Sequence, residues 1–407
     1  MGETAGQRAV PCVGGEDLAD RPATRLATRL AFLVAGFGIA CWAPLVPYAK
    51  QRLGADDGVI GLVLLCLGVG SLGAMVLSGL VSARHGSKPV ILAGGLGMVV
   101  LLPWLALANT PASLGAALFV FGAALGALDV AMNVHAVEVE RAAPRPLMSG
   151  FHALFSIGGF LGASLVTLLL SLGLSPLAST LPAAALMLVA MLMAWPRLLR
   201  AKVAGDGPGF VLPHGRVLVL ALLAAVMFLA EGAVLDWSAL LITSSGLADE
   251  ARGGLGFMVF SIAMTLGRLT GDAVTARFGD RATFFWGGCV ALAGFVMLLL
   301  SPHLGAALAG FMLIGLGAAN LVPILFRRAG SQTQMPASLA IGAVTTLGYA
   351  GILIGPAAIG FVANAASLPT AFWLLTGLVG LVPPCALALP AFTTRPHAPG
   401  SGSARAE

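Results

Sequence analysis

Twelve stretches of this chain are each apolar over a length that crosses a bilayer, and no soluble core could bury them all. They run over residues 26–48, 59–83, 89–108, 112–139, 148–172, 179–196, 216–243, 254–276, 282–301, 304–326, 335–362 and 368–391, bounded by charge, Gly or Pro. A hydrocarbon layer about 30 Å thick takes roughly 20 such residues per helix. Of 407 residues, 58% are hydrophobic and only 10% charged, where soluble domains carry about a quarter. Mean hydropathy is +0.97. Barrel strands of alternating polarity leave a much weaker signal. The expected fold is therefore an all-α polytopic membrane protein of twelve transmembrane helices.

The longest and most charged internal stretch, RLLRAKVAGDGPGFVLPHGR (197–216), falls between the sixth and seventh runs. It divides the chain into a polar head (1–25), a six-helix bundle (26–196), a linker (197–215), a second six-helix bundle (216–391) and a Pro, Gly and Ser-rich tail (392–407) expected to be disordered. The head has no short apolar core followed by a cleavage site, so the first run reads as an uncleaved helix. Two loops repeat. SGLVSARHGSKPVI (78–91) and TGDAVTARFGDRATFF (270–285) place Arg84, Gly86 and Lys88 against Arg277, Gly279 and Arg281, each pair 193 residues apart (277 − 84). An even number of spans and a repeated loop suggest duplication of a six-helix unit. If both termini are cytoplasmic, then of 22 Lys and Arg only Lys50, Arg52 and Arg252 lie outside, with Arg268 inside a helix. That imbalance predicts a multi-pass protein of the cytoplasmic (inner) membrane with both ends inside.

Composition also excludes functions. The net charge of +5 sits in short loops rather than on one aromatic-laced face, which argues against nucleic acid. Cys12, Cys41, Cys66, Cys289 and Cys385 show no metal-ligand spacing, and no metal or other cofactor is expected. No HExxH, P-loop or GxSxG string appears, so the chain does not read as an enzyme. GVGSLG (68–73) matches a dinucleotide fingerprint, but inside an apolar run it reads as small residues that let helices approach.

An ionisable side chain inside the bilayer costs about 2.5–3.5 kcal/mol on insertion scales and must face a cavity or a partner. The third, sixth, ninth and twelfth runs hold no charge, as suits a lipid-facing layer. Polar and aromatic residues fall on the first (Trp42), fourth (Asp129, Asn133), seventh (Glu231, Asp236) and tenth (Asn320), so every third helix is expected to line a central path. Asp129 lies roughly 15 Å and Glu231 roughly 22 Å from the inner ends of their helices. At that depth a carboxyl group can exchange a proton as access alternates, the chemistry of a proton-coupled carrier. The competing readings are a structural hydrogen bond for Glu231, a gate strut paired with an Arg for Asp129, and interhelical glue for Asn320. Arg268 and Asp272, four residues apart, read first as an ion pair along one helix face. His152 is expected to join Asn133 and His135 in a hydrogen-bond cluster, ahead of a proton relay. Asp236 with Trp237 reads as an interfacial anchor.

With these features in place the chain resembles the major facilitator superfamily from about residue 26 to 391. That family's loop between its second and third helices follows G-x-x-x-D-R-x-G-R-K, matched here by Gly79, Arg84, Gly86 and Lys88. Ala83 stands where the family has an acid and Ser87 where it has a base, so the cytoplasmic latch the acid serves must be weaker or built from other groups. The stretch 128–163 (LDVAMNVHAVEVERAAPRPLMSGFHALFSIGGFLGA) with EGAVLDWSALL (231–241) is similar to a bacterial branch of inner-membrane facilitators, distantly like sugar/proton symporters. The helix-four Arg of drug/proton antiporters would fall near Gly122 and is absent, and the fifth run lacks their Gly-Pro signature, although Gly355-Pro356 offers something like it on the eleventh.

The resemblance implies rocker-switch transport of a small-molecule substrate, coupled to protons, by a monomer embedded in lipid. The repeated loops (Gly79, Arg84, Gly86, Lys88; Arg277, Gly279, Arg281) would gate the cytoplasmic side. Export of amphipathic compounds is the rival within transport. A membrane-embedded ligand sensor is the rival outside it, disfavoured because neither the head nor the tail resembles an output domain. From the charge asymmetry, a cysteine placed in the linker should react with a membrane-impermeant reagent only from the cytoplasmic side of sealed vesicles.

Overall fold

The computed structural model describes residues 21–143, 147–199, 213–335 and 337–388. Among these it contains 12 helices long and apolar enough to cross a membrane. They are α1 (Pro22–Leu53), α2 (Asp57–His85), α3 (Ser87–Leu107), α4 (Pro111–Arg141), α5 (Met148–Ser171), α6 (Pro176–Ala194) and α7 (Gly215–Ser244), then α8 and α9 as one run (Leu255–Leu299), α10 (Leu304–Ser331), α11 (Ala337–Ala365) and α12 (Leu368–Ala386). Only helices satisfy every backbone amide within their own segment, which lipid demands. The expected head and tail, and most of the linker, fall outside the described residues.

Spans α1 and α10 differ from the unbroken helices expected. In α1 the helix ends at Ala40, a short 3-10 turn covers Ala43–Leu45, and a new helix starts at Val46, because Pro44 and Pro47 cannot donate to the preceding turn. In α10 the helix breaks at Asn320, between Leu304–Ala318 and Leu321–Ser331. The two repeated loops are single-residue breaks: Gly86 (φ 82°, ψ 167°) between α2 and α3, and Gly279 (φ 79°, ψ 159°) between α8 and α9. Side chains with a Cβ rarely adopt these angles, so glycine recurs at the same place in both repeats.

The packing shows the duplication. α1 packs on α5, α2 on α4, and α3 on α4 and α6; adding six to each index gives α7 on α11, α8 on α10, and α9 on α10 and α12, which are also in contact. The halves meet where α2 packs on α11 and α5 on α8, again exchanged by the same rule. Helices α3, α9 and α12 carry outward-facing Trp104, Trp286 and Trp373, and Trp195 follows directly on α6, aromatic anchors suited to the membrane interface.

Within each half, backbones touch at glycine. A Cβ on Gly122 would lie 1.9 Å from the Leu67 carbonyl oxygen, and one on Gly70 2.0 Å from that of Phe119, which locks α4 to α2. Gly36 and Gly158 do the same between α1 and α5, meeting the carbonyls of Phe155 and Leu33. At the end opposite the linker the halves are also pressed together. Gly61 and Gly360 meet backbone to backbone, Gly254 lies against Thr167 and Pro44, and the Ser171 hydroxyl donates to the Ala251 carbonyl at 3.1 Å. Towards the linker end, a Cβ on Gly73, Gly150 or Gly342 would have no packing neighbour within 4 Å among the described residues, so these glycines do not press the halves together there.

Replacing Gly122 by Leu should lower the melting temperature in detergent sharply, since overpacking costs about 1–3 kcal/mol or more. Gly73→Ala, with nothing within 4 Å, should leave it unchanged or slightly raised.

Candidate functional site

Midway along the helices, where the halves face each other, polar side chains from five helices form one layer. Glu231 on α7 pairs with Arg268 on α8 at 3.3 Å (Oε2 to a guanidinium nitrogen), with side chains 21% and 37% exposed. The other terminal nitrogen of Arg268 donates to the Ser156 hydroxyl on α5 at 3.4 Å, crossing between halves. A second crossing runs from the Tyr349 hydroxyl on α11 to Asp129 Oδ2 on α4 at 3.5 Å. Phe228, one turn before Glu231, stacks on the Tyr349 ring (6.0 Å between centroids, 15° between planes) and so joins the two parts of the layer. Asn133 donates from its amide to the Asp129 carbonyl at 2.8 Å and approaches Asp129 Oδ1 at 3.5 Å. Glu231 Oε1 is buried without a hydrogen-bond partner among the described residues. Desolvating a carboxylate oxygen with no donor is costly, so this atom is suited to accept from a solute or to hold a proton.

The expected residues fare differently. Asp129, Asn133 and Glu231 come together in this layer. Arg268, expected to pair along its own helix with Asp272, reaches across to Glu231 and Ser156; the Asp272 side chain lies outside the described part. Asn320 donates to the Gly267 carbonyl at 3.2 Å, and a Cβ on Gly271 would lie 1.8 Å from Asn320 Oδ1. Its side chain thus ties α10 to α8 at the helix break.

Trp42, expected to wall the cavity, is buried beside the proline turn of α1, 1% exposed, and its indole nitrogen has no hydrogen-bond partner among the described residues. The prolines that break α1 carry it into the closed end. Asp236 and Trp237 are also buried, not interfacial, because the closed end packs around that part of α7.

The expected histidine cluster does not form. His135 is fully buried and turned towards α1, where Leu199 N–H donates to its Nε2 at 2.9 Å and its Nδ1 lies 3.0 Å from the Thr28 hydroxyl. With Nε2 accepting, a neutral ring donates from Nδ1 to Thr28, whose hydroxyl donates to the Thr24 carbonyl at 3.1 Å. His152 packs edge-on against Phe32 at 5.1 Å.

In the repeated breaks, Arg84, Arg277 and Arg281 are exposed and Lys88 half-buried. Gly86 and Gly279 form the turns, and the surroundings of Gly79 lie outside the described part. Asp280 pairs with Arg327 at 2.6 Å, fixing the second break to α10.

Sequence reasoning missed Tyr349, Phe228 and Ser156. Only Tyr349 offered a signal, as one of 2 tyrosines in the chain and set among small residues. Phe and Ser inside apolar helices are too common to mark a site.

A profile described as Major Facilitator Superfamily matches residues 29–328. An uncharacterised MFS-type transporter of Yersinia pestis is 50% identical over 349 residues, covering 86% of this chain and 91% of the relative. The membrane protein MosC of Rhizobium meliloti is 30% identical over 382 residues, covering 93% of each. Among solved structures, a point mutant of the nucleoside transporter NupG superposes with a TM-score of 0.74 at 14% identity, covering 90% of this chain and 99% of that one. A bacterial homologue of the human lysosomal transporter Spinster, inward-facing and unoccupied, gives 0.67 at 12% identity, with 92% and 97% covered. At these identities the two structures show the fold alone.

Glu231→Gln and Arg268→Gln should each destabilise the protein more than the double substitution does, since each single change strands the other partner. A double-mutant cycle on melting in detergent should return a coupling on the order of 1 kcal/mol; a coupling near zero would mean the pair is not formed in the membrane-extracted protein.

Proposed function

This chain belongs to the major facilitator superfamily, whose members are membrane transporters, and on that premise we propose that it moves a small polar solute, such as a sugar, by proton-coupled alternating access. The observation that carries the proposal is the mid-membrane layer to which both halves contribute: Asp129 and Ser156 from one, Glu231, Arg268 and Tyr349 from the other. Charged groups at that depth are retained where they act on a solute or an ion. Donors and acceptors of both kinds face one another there, which suits a hydroxyl-bearing solute better than an amphipathic one.

In the proposed cycle Arg268 balances Glu231 while the carboxylate is charged. A proton taken up by Glu231 weakens that pair and frees the guanidinium for the solute. Asn133 orients Asp129, and Tyr349 holds Asp129 from the opposite half. When the halves rock, Arg268–Ser156 and Tyr349–Asp129 must separate or shift, so occupancy of the layer and the side on which it opens are linked. The contacts at the end opposite the linker support a state closed on that side. By the charge asymmetry, the open side is the cytoplasm.

In proteoliposomes carrying an internal pH dye, addition of the right member of a panel of sugars, organic acids and cationic drugs should change internal pH with the native protein and not with Glu231→Gln. Solute uptake without any proton signal, or a Glu231→Gln protein that performs like the native one, would remove Glu231 from coupling. Tyr349→Phe, which keeps the stack on Phe228 and loses the hydroxyl, should slow transport while leaving melting nearly unchanged.

A further inference from the structure

The transport reading leaves Arg84, His85 and Lys88 without a ligand. Directly beside them, between the last turns of α2 and the first turns of α3, runs a shallow apolar groove of about 380 Å³. Leu77 and Val81 line one wall and Pro89, Val90 and Ala93 the other. Leu77 is 64% exposed and Val81 43%, so the groove is open on its outer face. Because Gly86 reverses the chain within one residue, each wall ends in a cation: α2 runs from Val81 to Arg84 and His85, and α3 starts with Ser87, Lys88 and Pro89. Ala83 stands where the family carries an acid, so no carboxylate in this turn would repel an anion. On the adjacent α4, Glu140 is taken up by the backbone amides of Leu147 and Met148.

We infer that this groove binds one anionic phospholipid, with the phosphate held between Arg84 and Lys88 and an acyl chain laid along α2 and α3. A guanidinium grips phosphate with paired donors and an ammonium adds a point charge. Basic pockets between transmembrane helices favour anionic headgroups, and an apolar trough beneath one selects a lipid over a soluble anion. The second repeat is not equivalent. Asp280, the counterpart of Ser87 (280 − 87 = 193), places a carboxylate between Arg277 and Arg281 and ties itself to Arg327.

Native mass spectrometry of the full chain tests this, with phosphatidylglycerol titrated against phosphatidylcholine of the same acyl chains and against inorganic phosphate. The native protein should retain one phosphatidylglycerol that neither competitor displaces. Arg84→Gln with Lys88→Gln should weaken retention roughly tenfold or more. Ala93→Trp, which fills the groove and leaves the charges intact, should do the same. Arg277→Gln with Arg281→Gln should bind like the native protein, and all variants should melt together in detergent micelles with phosphatidylcholine as the added lipid, which separates lost binding from lost folding. Equal retention of phosphatidylcholine, displacement by phosphate alone, native-like retention in either of the first two variants, or an equal loss in the third would overturn the inference.

Discussion

Between α2 and α4, and again between α1 and α5, helix backbones lie against each other with no side chain between them. Gly122, Gly70, Gly36 and Gly158 each face a carbonyl that leaves no room even for a methyl group. In lipid there is no hydrophobic gain from pressing two apolar helices together, so association depends on close packing, and close packing needs small residues at the contact. These seams make each half a firm body, and the polar layer depends on that firmness. A carboxylate and a guanidinium are held in apolar surroundings only if the helices presenting them cannot drift apart.

The seams also bear on specificity. By the resemblance, the arginine of drug/proton antiporters would fall near Gly122, and here the Leu67 backbone of α2 lies against that glycine. The difference is thus one of architecture and not of a single side chain. Arg268, on a helix of the other half, reaches both its own bundle at Glu231 and the opposite one at Ser156. A charge balanced across the boundary between two moving bodies responds to their motion, whereas a pair confined to one helix would not.

At the linker end the departures from the family loop have a physical counterpart. Ser87, in place of a base, donates to the Leu199 carbonyl at 3.3 Å, while His135 accepts from the Leu199 amide. The start of the linker is therefore held to the first half by both backbone groups of one residue. The second repeat has Asp280 at the place of Ser87 and pairs it with Arg327 within its own half.

The sequence by itself determined the number of spans, the all-helical architecture, the two-fold repeat and the depth of Asp129 and Glu231. These follow from local rules: how many apolar residues cross a bilayer, and how far each residue advances along a helix. It could not determine partners. The i, i+4 spacing named only Asp272 for Arg268 and could not show that its guanidinium reaches Glu231 and Ser156 on other helices. Similar depth made His135 and His152 look like neighbours, but each turns to its own partner on α1, His135 to Thr28 and His152 to Phe32. Trp42 and Asp236 looked like cavity and interface residues, and the closing of one end buried both. Depth in the membrane is a property of chain position, while azimuth around each helix and the state of closure arise only when all twelve helices pack.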